Sequence, residues 1–237
     1  ATIERIVEKS FTVPGNGILR IETQGGQIRV SPSADSVVRI TAKQRIKADT
    51  EIEADELLKK LELTVEQSGT DVTAIAKYEQ RLPGFHFGSW PPVAVDFTVS
   101  VPAGMANDLR SSGGGITVGD INGRVTARTS GGGIKLGKIG STVNAHTSGG
   151  GITLESAQGD VELDTSGGQI KVGRVAGKAN LSTSGGGITI ESVENVLRAS
   201  TSGGGITAGI SGALKEDCSL NTSGGGIRVT VDKAAAF

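Results

Sequence analysis

A short motif, Ser-Gly-Gly-Gly-Ile, recurs through the second half of the chain at a nearly constant interval. Successive serines are 18 residues apart five times and 21 residues apart at the last step, at Ser112, Ser130, Ser148, Ser166, Ser184, Ser202 and Ser223. Gln169 replaces one glycine, and residues 23–28 form an earlier, degenerate copy. A fixed period of this length indicates structural units that stack on one another to bury a shared core.

Apolar and polar residues alternate twice within each unit. One run follows the glycines, as in Ile134-Lys135-Leu136, and a second precedes the next serine, as in Val143, Ala145 and Thr147. A period of two predicts β-strands, so each unit predicts two strands and two turns. The expected fold is therefore an all-β solenoid with two strands per 18-residue coil. At about 4.8 Å per coil, seven coils would form a rod roughly 30 Å long.

The corners of the coils have a distinctive composition. Glycine triplets are expected where the backbone needs positive φ and where a side chain would collide with the next coil. Before each triplet an inward threonine recurs, which predicts a buried ladder of hydroxyls bonding neighbouring coils: Thr129, Thr147, Thr165, Thr183, Thr201 and Thr222. Cys218 aligns with Val125 and Val143 in an inward column, so we expect a buried, inert thiol.

Residues 1–104 differ from the regular part, residues 105–237, and predict a β-rich cap in which the solenoid also begins. Acidic residues followed by lysines predict one short helix over residues 49–60. Alternating residues 61–65 and 72–78 predict a hairpin, and residues 93–101 predict a strand leading into the coils.

Charge and hydropathy exclude several classes of protein. The chain has 24 Lys+Arg against 25 Asp+Glu, a balance that argues against a nucleic-acid binder and against a polybasic membrane anchor. No apolar run approaches the ~18 residues of a transmembrane helix, and the first residues show no signal-peptide pattern, which leaves open whether one was removed. The single cysteine cannot form an internal disulfide.

No metal or other cofactor is predicted. Calcium-binding β-rolls need a recurring aspartate at each turn, whereas Asp120 aligns with Lys138, Ser156 and Arg174. Outward threonines resemble the arrays of ice-binding solenoids, but lysines interrupt them.

The segment between residues 82 and 92 holds three of the seven aromatic residues of the chain. Phe85, His86, Phe87 and Trp90, flanked by proline and glycine, form a candidate binding surface for a sugar or a protein partner. The alternative is a plug over the end of the solenoid, which we favour because aromatic residues are otherwise scarce here.

One outward column offers a candidate catalytic patch. Arg128, His146 and Asp164 lie on successive coils with Glu162 beside them, and a histidine between an arginine and a carboxylate could transfer protons. This pattern would suit a polysaccharide-acting enzyme. The alternative is a solvated ladder of alternating charge, which we favour because surface ion pairs of this kind are common.

Few residues follow the last predicted strand, residues 227–231, and they are too few to cover a whole coil. An uncovered strand edge can pair with another chain. This predicts self-association through the C-terminal coil.

The chain also resembles a known family. Phe11-Thr12-Val13-Pro14-Gly15, the strand that ends in Pro102-Ala103-Gly104, and the Ser-Gly-Gly-Gly-Ile repeats look like the bacterial "putative adhesin" family of β-strand-repeat domains, related to toastrack domains. The resemblance implies a β-solenoid placed outside the cytoplasm, at the cell envelope, with no established catalysis. The expected function is a non-enzymatic scaffold or adhesion module whose partner is a glycan or an envelope protein.

Overall fold

A computed structural model describes residues 1–79 and 90–233 of the chain. Its strands are β1 (Ile3–Thr12), β2 (Ile18–Thr23), β3 (Ile28–Ser33), β4 (Val37–Ile46), β5 (Leu61–Ser68), β6 (Asp71–Tyr78), β7 (Val93–Pro102), β8 (Ala106–Ser111), β9 (Ile116–Val118), β10 (Val125–Thr129), β11 (Ile134–Ile139), β12 (Val143–Thr147), β13 (Ile152–Ala157), β14 (Val161–Thr165), β15 (Ile170–Val175), β16 (Ala179–Thr183), β17 (Ile188–Val193), β18 (Leu197–Thr201), β19 (Ile206–Ile210), β20 (Ser219–Thr222) and β21 (Ile227–Val231). The one helix of this described part is α1 (Glu51–Leu58).

The strands form two sheets, one on each side of a shared apolar core. Over the described residues, sheet A has 11 strands in the order β1-β4-β7-β3-β9-β11-β13-β15-β17-β19-β21. Sheet B has 10 strands in the order β20-β18-β16-β14-β12-β10-β8-β2-β6-β5. Successive strands of the chain alternate between the sheets from β8 onward, so every pair of strands makes one coil.

Consecutive coils lie directly on one another in parallel register. Ile134 pairs with Ile152 in sheet A, and Val143 pairs with Val161 in sheet B. Each of these pairs joins residues one repeat apart, which confirms the predicted all-β solenoid with 18-residue coils. Because side chains alternate between the faces of a strand, this register keeps one apolar set inside along the whole stack.

The N-terminal region closes one end of the stack with antiparallel strands. The β2 and β3 strands lie within the two sheets, between the coil of β6 and β7 and the coil of β8 and β9. Beyond β7, β4 and β1 pair antiparallel, and β5 pairs antiparallel with β6. The predicted hairpin is thus β5 and β6.

Helix α1 is shorter than the sequence suggests. Thr50 caps it by accepting a hydrogen bond from the backbone nitrogen of Glu53 at 3.2 Å. The helix ends at Leu58, with Lys59 as its C-cap, because β5 begins at Leu61 and takes the chain into sheet B. The lysines therefore follow the last turn instead of lying within it.

The inward threonines form the predicted ladder. Thr147 is fully buried, and its hydroxyl donates to the carbonyl oxygen of Gly132 on the preceding coil at 2.6 Å. Each of the other ladder threonines makes the equivalent bond at 2.6 or 2.7 Å: Thr129, Thr165, Thr183, Thr201 and Thr222. A buried hydroxyl in an apolar column is thereby satisfied.

The glycine triplets are required by close approach and not by backbone conformation. Within the described ranges, positive φ occurs only at Gly25, Gly69 and Gly212, none of which belongs to a triplet of the regular coils. The expectation of positive φ at the triplets is wrong. The expected collision is present: a Cβ on Gly186 would lie 2.3 Å from the carbonyl oxygen of Gly168 on the preceding coil.

Cys218 lies in the expected column but is only half-buried. Its Sγ accepts a hydrogen bond from the backbone nitrogen of Leu197 at 3.3 Å. The column ends near this residue, at the open end of the stack, where no further coil covers the thiol among the described residues.

Within the two described ranges, no helix is both long and apolar enough to cross a membrane.

Candidate functional site

The outer face of sheet B carries three shallow grooves, each spanning several consecutive coils and lined by both polar and apolar side chains. Their volumes are about 380, 340 and 270 Å³. The strands hold their outward side chains in two columns, because each strand is in register with the next. We call this surface the B-face and define it by the outward residues Arg110, Arg128, Asn144, His146, Glu162, Asp164, Asn180, Ser182 and Arg198.

The first column contains the predicted catalytic patch. Arg128 pairs in register with His146, and His146 with Asp164. The imidazole Nδ1 of His146 lies 2.7 Å from Asp164 Oδ2, and both side chains are a little under half exposed. The side chain of Arg128 makes no hydrogen bond or ion pair with any residue of the described ranges. The structure therefore brings Arg128, His146 and Asp164 together in one column.

The second column supplies hydrogen-bonding groups beside the first column. Asn144 pairs with Glu162, which pairs with Asn180. The Asn144 amide donates weakly to Glu162 at 3.5 Å. Amide and carboxylate groups one coil apart can donate to and accept from hydroxyl groups of a ligand.

A loop forms one wall of the largest groove. The last repeat is longer than the others, and its extra residues lie between β19 and β20. From this loop Glu216 reaches back two coils to Lys178, with Nζ and Oε1 2.6 Å apart. The ammonium group lowers the pKa of the Glu216 carboxyl. The ion pair is half exposed and holds the loop beside the groove.

Of the predicted aromatic site, only Trp90 lies within the described residues. Phe85, His86 and Phe87 lie outside them. Trp90 is 41% exposed and its ring meets Tyr78 edge to face, with centroids 5.4 Å apart. Trp90 is thus partly exposed, and the choice between binding surface and plug stays a prediction.

The last coil leaves apolar side chains uncovered. Ile227, Val229 and Val231 are 46%, 41% and 38% exposed, whereas their partners on β19 are almost fully buried. The three side chains belong to the inward column, so they would be covered if another strand lay on β21. Self-association through this coil stays a prediction.

No metal centre is apparent in the described part of the chain, where no group of three or more His, Cys, Asp or Glu side chains could hold an ion. The side chains that define the B-face carry amides, guanidinium groups, carboxylates, an imidazole and a hydroxyl. Its chemistry suits hydrogen bonding to a polar ligand laid along several coils.

Sequence reasoning missed several residues of the B-face. Arg110 lies one repeat before Arg128, and Asn180 lies two repeats after Asn144, so the repeat alone could have found both. Glu216 carried no such signal, because it lies in the irregular loop and its contact with Lys178 spans 38 residues.

Several solved structures align with nearly the whole length of this chain. A "putative adhesin" from Bacteroides fragilis NCTC 9343 aligns with a TM-score of 0.54 and 15% identity, covering 95% of this chain and 97% of its own. A "putative adhesin" from Parabacteroides merdae ATCC 43184 aligns at 0.40 and 13%, covering 95% and 96%. A "putative cell adhesion protein" from Clostridium sporogenes ATCC 15579 aligns at 0.35 and 10%, covering 97% and 100%.

At 15% identity, the likeness to the Bacteroides fragilis protein shows the fold alone. No family model matches the chain. No curated protein matches it either.

Proposed function

We propose that this chain is a non-enzymatic, extracytoplasmic adhesion module that binds a surface glycan along the B-face. The observation that carries the proposal is the set of three open grooves along the coils of sheet B, where amide and carboxylate side chains lie in register. An extended ligand can meet the same pair of columns on each coil it crosses. Many weak, repeated contacts then add up to useful affinity.

Sugar hydroxyls both donate and accept hydrogen bonds, and the B-face offers partners of both kinds. Asn144 and Asn180 provide amides two coils apart, and Glu162 lies between them as an acceptor. The grooves are open, which fits a segment of a polymer better than a small molecule enclosed on most of its surface. The resemblance to adhesins and the solenoid fold are consistent with a place at the cell envelope.

A glycan array tests this proposal. The wild-type protein is expected to bind a subset of glycans, and the double variant Asn144→Ala, Asn180→Ala to bind them about tenfold more weakly, because two hydrogen-bonding groups are lost. Asn122→Ala is the matched control, since Asn122 is an exposed asparagine outside the grooves. If no glycan binds, or if all three proteins bind equally, the B-face is not the adhesion surface.

A second candidate function is hydrolysis or cleavage of a polysaccharide at the same face. The observation that favours it is the hydrogen bond between His146 and Asp164, because a carboxylate can orient an imidazole for proton transfer. Incubation with a bound glycan and analysis of product size separates the two functions. Binding without shortening supports adhesion, whereas shortening that is lost in His146→Ala supports the enzyme.

A further inference from the structure

The outer face of sheet A has a regularity with twice the period of the repeat. The sequences of β11 and β15 are Ile-Lys-Leu-Gly-Lys-Ile and Ile-Lys-Val-Gly-Arg-Val. The strands β13 and β17 instead have Ile-Thr-Leu-Glu-Ser-Ala and Ile-Thr-Ile-Glu-Ser-Val. Coils with two basic outward residues therefore alternate with coils that carry threonine, serine and one acid.

The register of sheet A turns this alternation into evenly spaced cations. Lys135 pairs with Thr153, which pairs with Lys171, so the two lysines lie in one column two coils apart. Arg29 lies two coils from Lys135 on the other side, with Thr117 between them. Twice the strand spacing is about 9.6 Å, so three cations follow one another at this interval.

A second column repeats the same arrangement beside the first. Lys138 pairs with Ser156, which pairs with Arg174. Lys138 and Arg174 lie on the same coils as Lys135 and Lys171, so these two coils present two cations each, whereas the coil of Arg29 presents one. We call the residues Arg29, Lys135, Lys138, Lys171 and Arg174 the A-face cations.

Three of the five A-face cations have no side-chain partner among the residues that the structure describes. Lys138 Nζ lies 3.6 Å from Glu155 Oε1, and the Arg29 guanidinium donates a hydrogen bond to Gln27 Oε1 at 3.4 Å. The side chains of Lys135, Lys171 and Arg174 form no hydrogen bond or ion pair with any residue of the described ranges. The Asp120 carboxylate is already engaged, because its Oδ1 accepts a hydrogen bond from the backbone nitrogen of Lys138 at 2.9 Å. Positive charge on this face thus exceeds the negative charge beside it.

We propose that this face binds a linear acidic polysaccharide with one anionic group on every second sugar, running along the axis of the stack. The two-coil interval places a cation pair opposite each anionic group. The hydroxyls of Thr153 and Ser156 lie between the cation pairs, where they can hydrogen-bond the uncharged sugar. The proposal concerns the opposite face of the solenoid from the B-face.

The spacing and composition of this face disfavour a nucleic acid. Each strand of a DNA duplex carries one phosphate per about 3.4 Å of helix axis, far more densely than the cation pairs. The outward positions of β11, β13, β15 and β17 carry no aromatic side chain on which a base could stack.

Titration with hyaluronan, which carries one carboxylate per disaccharide, tests the proposal by calorimetry at low salt. Wild type is expected to bind hyaluronan and not neutral dextran. The double variant Lys135→Gln, Lys171→Gln should bind about tenfold more weakly, since exposed ion pairs contribute modestly. Lys60→Gln with Arg124→Gln removes the same charge elsewhere and should bind like wild type.

The interval itself is tested by moving one cation while keeping the composition. Thr153→Lys combined with Lys171→Thr keeps the net charge but places cations on adjacent coils. Weaker hyaluronan binding by this folded variant, as judged by circular dichroism, supports the proposal, whereas unchanged affinity overturns the spacing argument.

Two further measurements distinguish a polysaccharide from a nucleic acid as ligand, and the outer face of sheet A from the B-face. Equal or tighter binding of oligothymidylate overturns the polysaccharide assignment. The double variant Asn144→Ala, Asn180→Ala, on the B-face, should leave hyaluronan binding unchanged. The proposal for the B-face and the proposal for the outer face of sheet A can therefore fail independently.

Discussion

The hydroxyl of Thr147 donates a hydrogen bond to the carbonyl oxygen of Gly132 on the preceding coil, at 2.6 Å and without access to solvent. The same bond recurs along the stack and ties the inward column to the glycine corner of the neighbouring coil. Strand pairing and corner packing are therefore coupled at one residue of each coil.

Replacing Thr147 by valine should destabilise the protein by about 1–2 kcal/mol, because a buried carbonyl loses its partner while the shape of the side chain is kept. Thr153→Val is the control, since Thr153 is exposed on sheet A, and should change stability by less than about 0.5 kcal/mol. Urea denaturation monitored by circular dichroism measures both. Equal effects would contradict a structural role for the ladder.

A methyl group should be far more harmful at a middle glycine of a triplet, which faces the preceding coil, than at the last glycine of the final triplet. The Cβ of Gly186→Ala would meet backbone atoms of the preceding coil at 2.3–2.5 Å, which side-chain movement cannot relieve. We expect a loss of about 3 kcal/mol or more. Gly226→Ala, where nothing lies within 4 Å, should be nearly neutral. Thermal melts of the two variants test the difference, and similar melting temperatures would refute the collision argument.

Asp35 should titrate well below its ordinary range. Hydrogen bonds from Arg39, the backbone nitrogen of Val37 and Ser33 lower the pKa of its carboxyl from 3.8 to about 2. Because the folded pKa is below the unfolded one, the stabilisation is present above about pH 4 and is lost as the pH falls through about 2.

The pKa of Asp35 can be measured by NMR titration of its carboxyl carbon. The stability difference between wild type and Asp35→Asn should shrink over the same pH range. A pKa near the ordinary 3.8 would show that the hydrogen bonds from Arg39, Val37 and Ser33 do not stabilise the carboxylate.

The uncovered last coil should support self-association with a second copy of the chain. Among the described residues β21 pairs only with β19, so its other edge offers the backbone groups and apolar side chains that each interior coil presents to the next. A strand of a second copy could pair with this backbone and cover these side chains. Light scattering after size exclusion should show a mass that rises with concentration. Val229→Lys should give a monomer, while Thr230→Lys, on the outward side of β21, should retain association. A wild-type monomer at high concentration would reject the contact.

The regular coils could be predicted because each lies on a near-copy of itself. The 18-residue interval sets Ile134 on Ile152 and Thr147 on Thr165, so the register follows from counting once the strands are assigned. The same counting brings Arg128, His146 and Asp164 into one row. The alternation of Lys135, Thr153 and Lys171 was also present in the sequence, but it becomes a spacing only when the strands are stacked.

Tertiary structure decided whatever does not repeat. The corner glycines of the regular coils are needed because the backbone of a neighbouring coil lies close, and not because they adopt positive φ. The local sequence contains no information on the distance between the two coils. Glu216 meets Lys178 only because its loop folds back over two coils, and β2 and β3 enter the stack between strands that follow them in the chain. Local periodicity determined the strands and the faces of the regular coils. Contacts between distant segments determined the corners, the groove wall and the capped end, because their energies depend on neighbours that no single repeat contains.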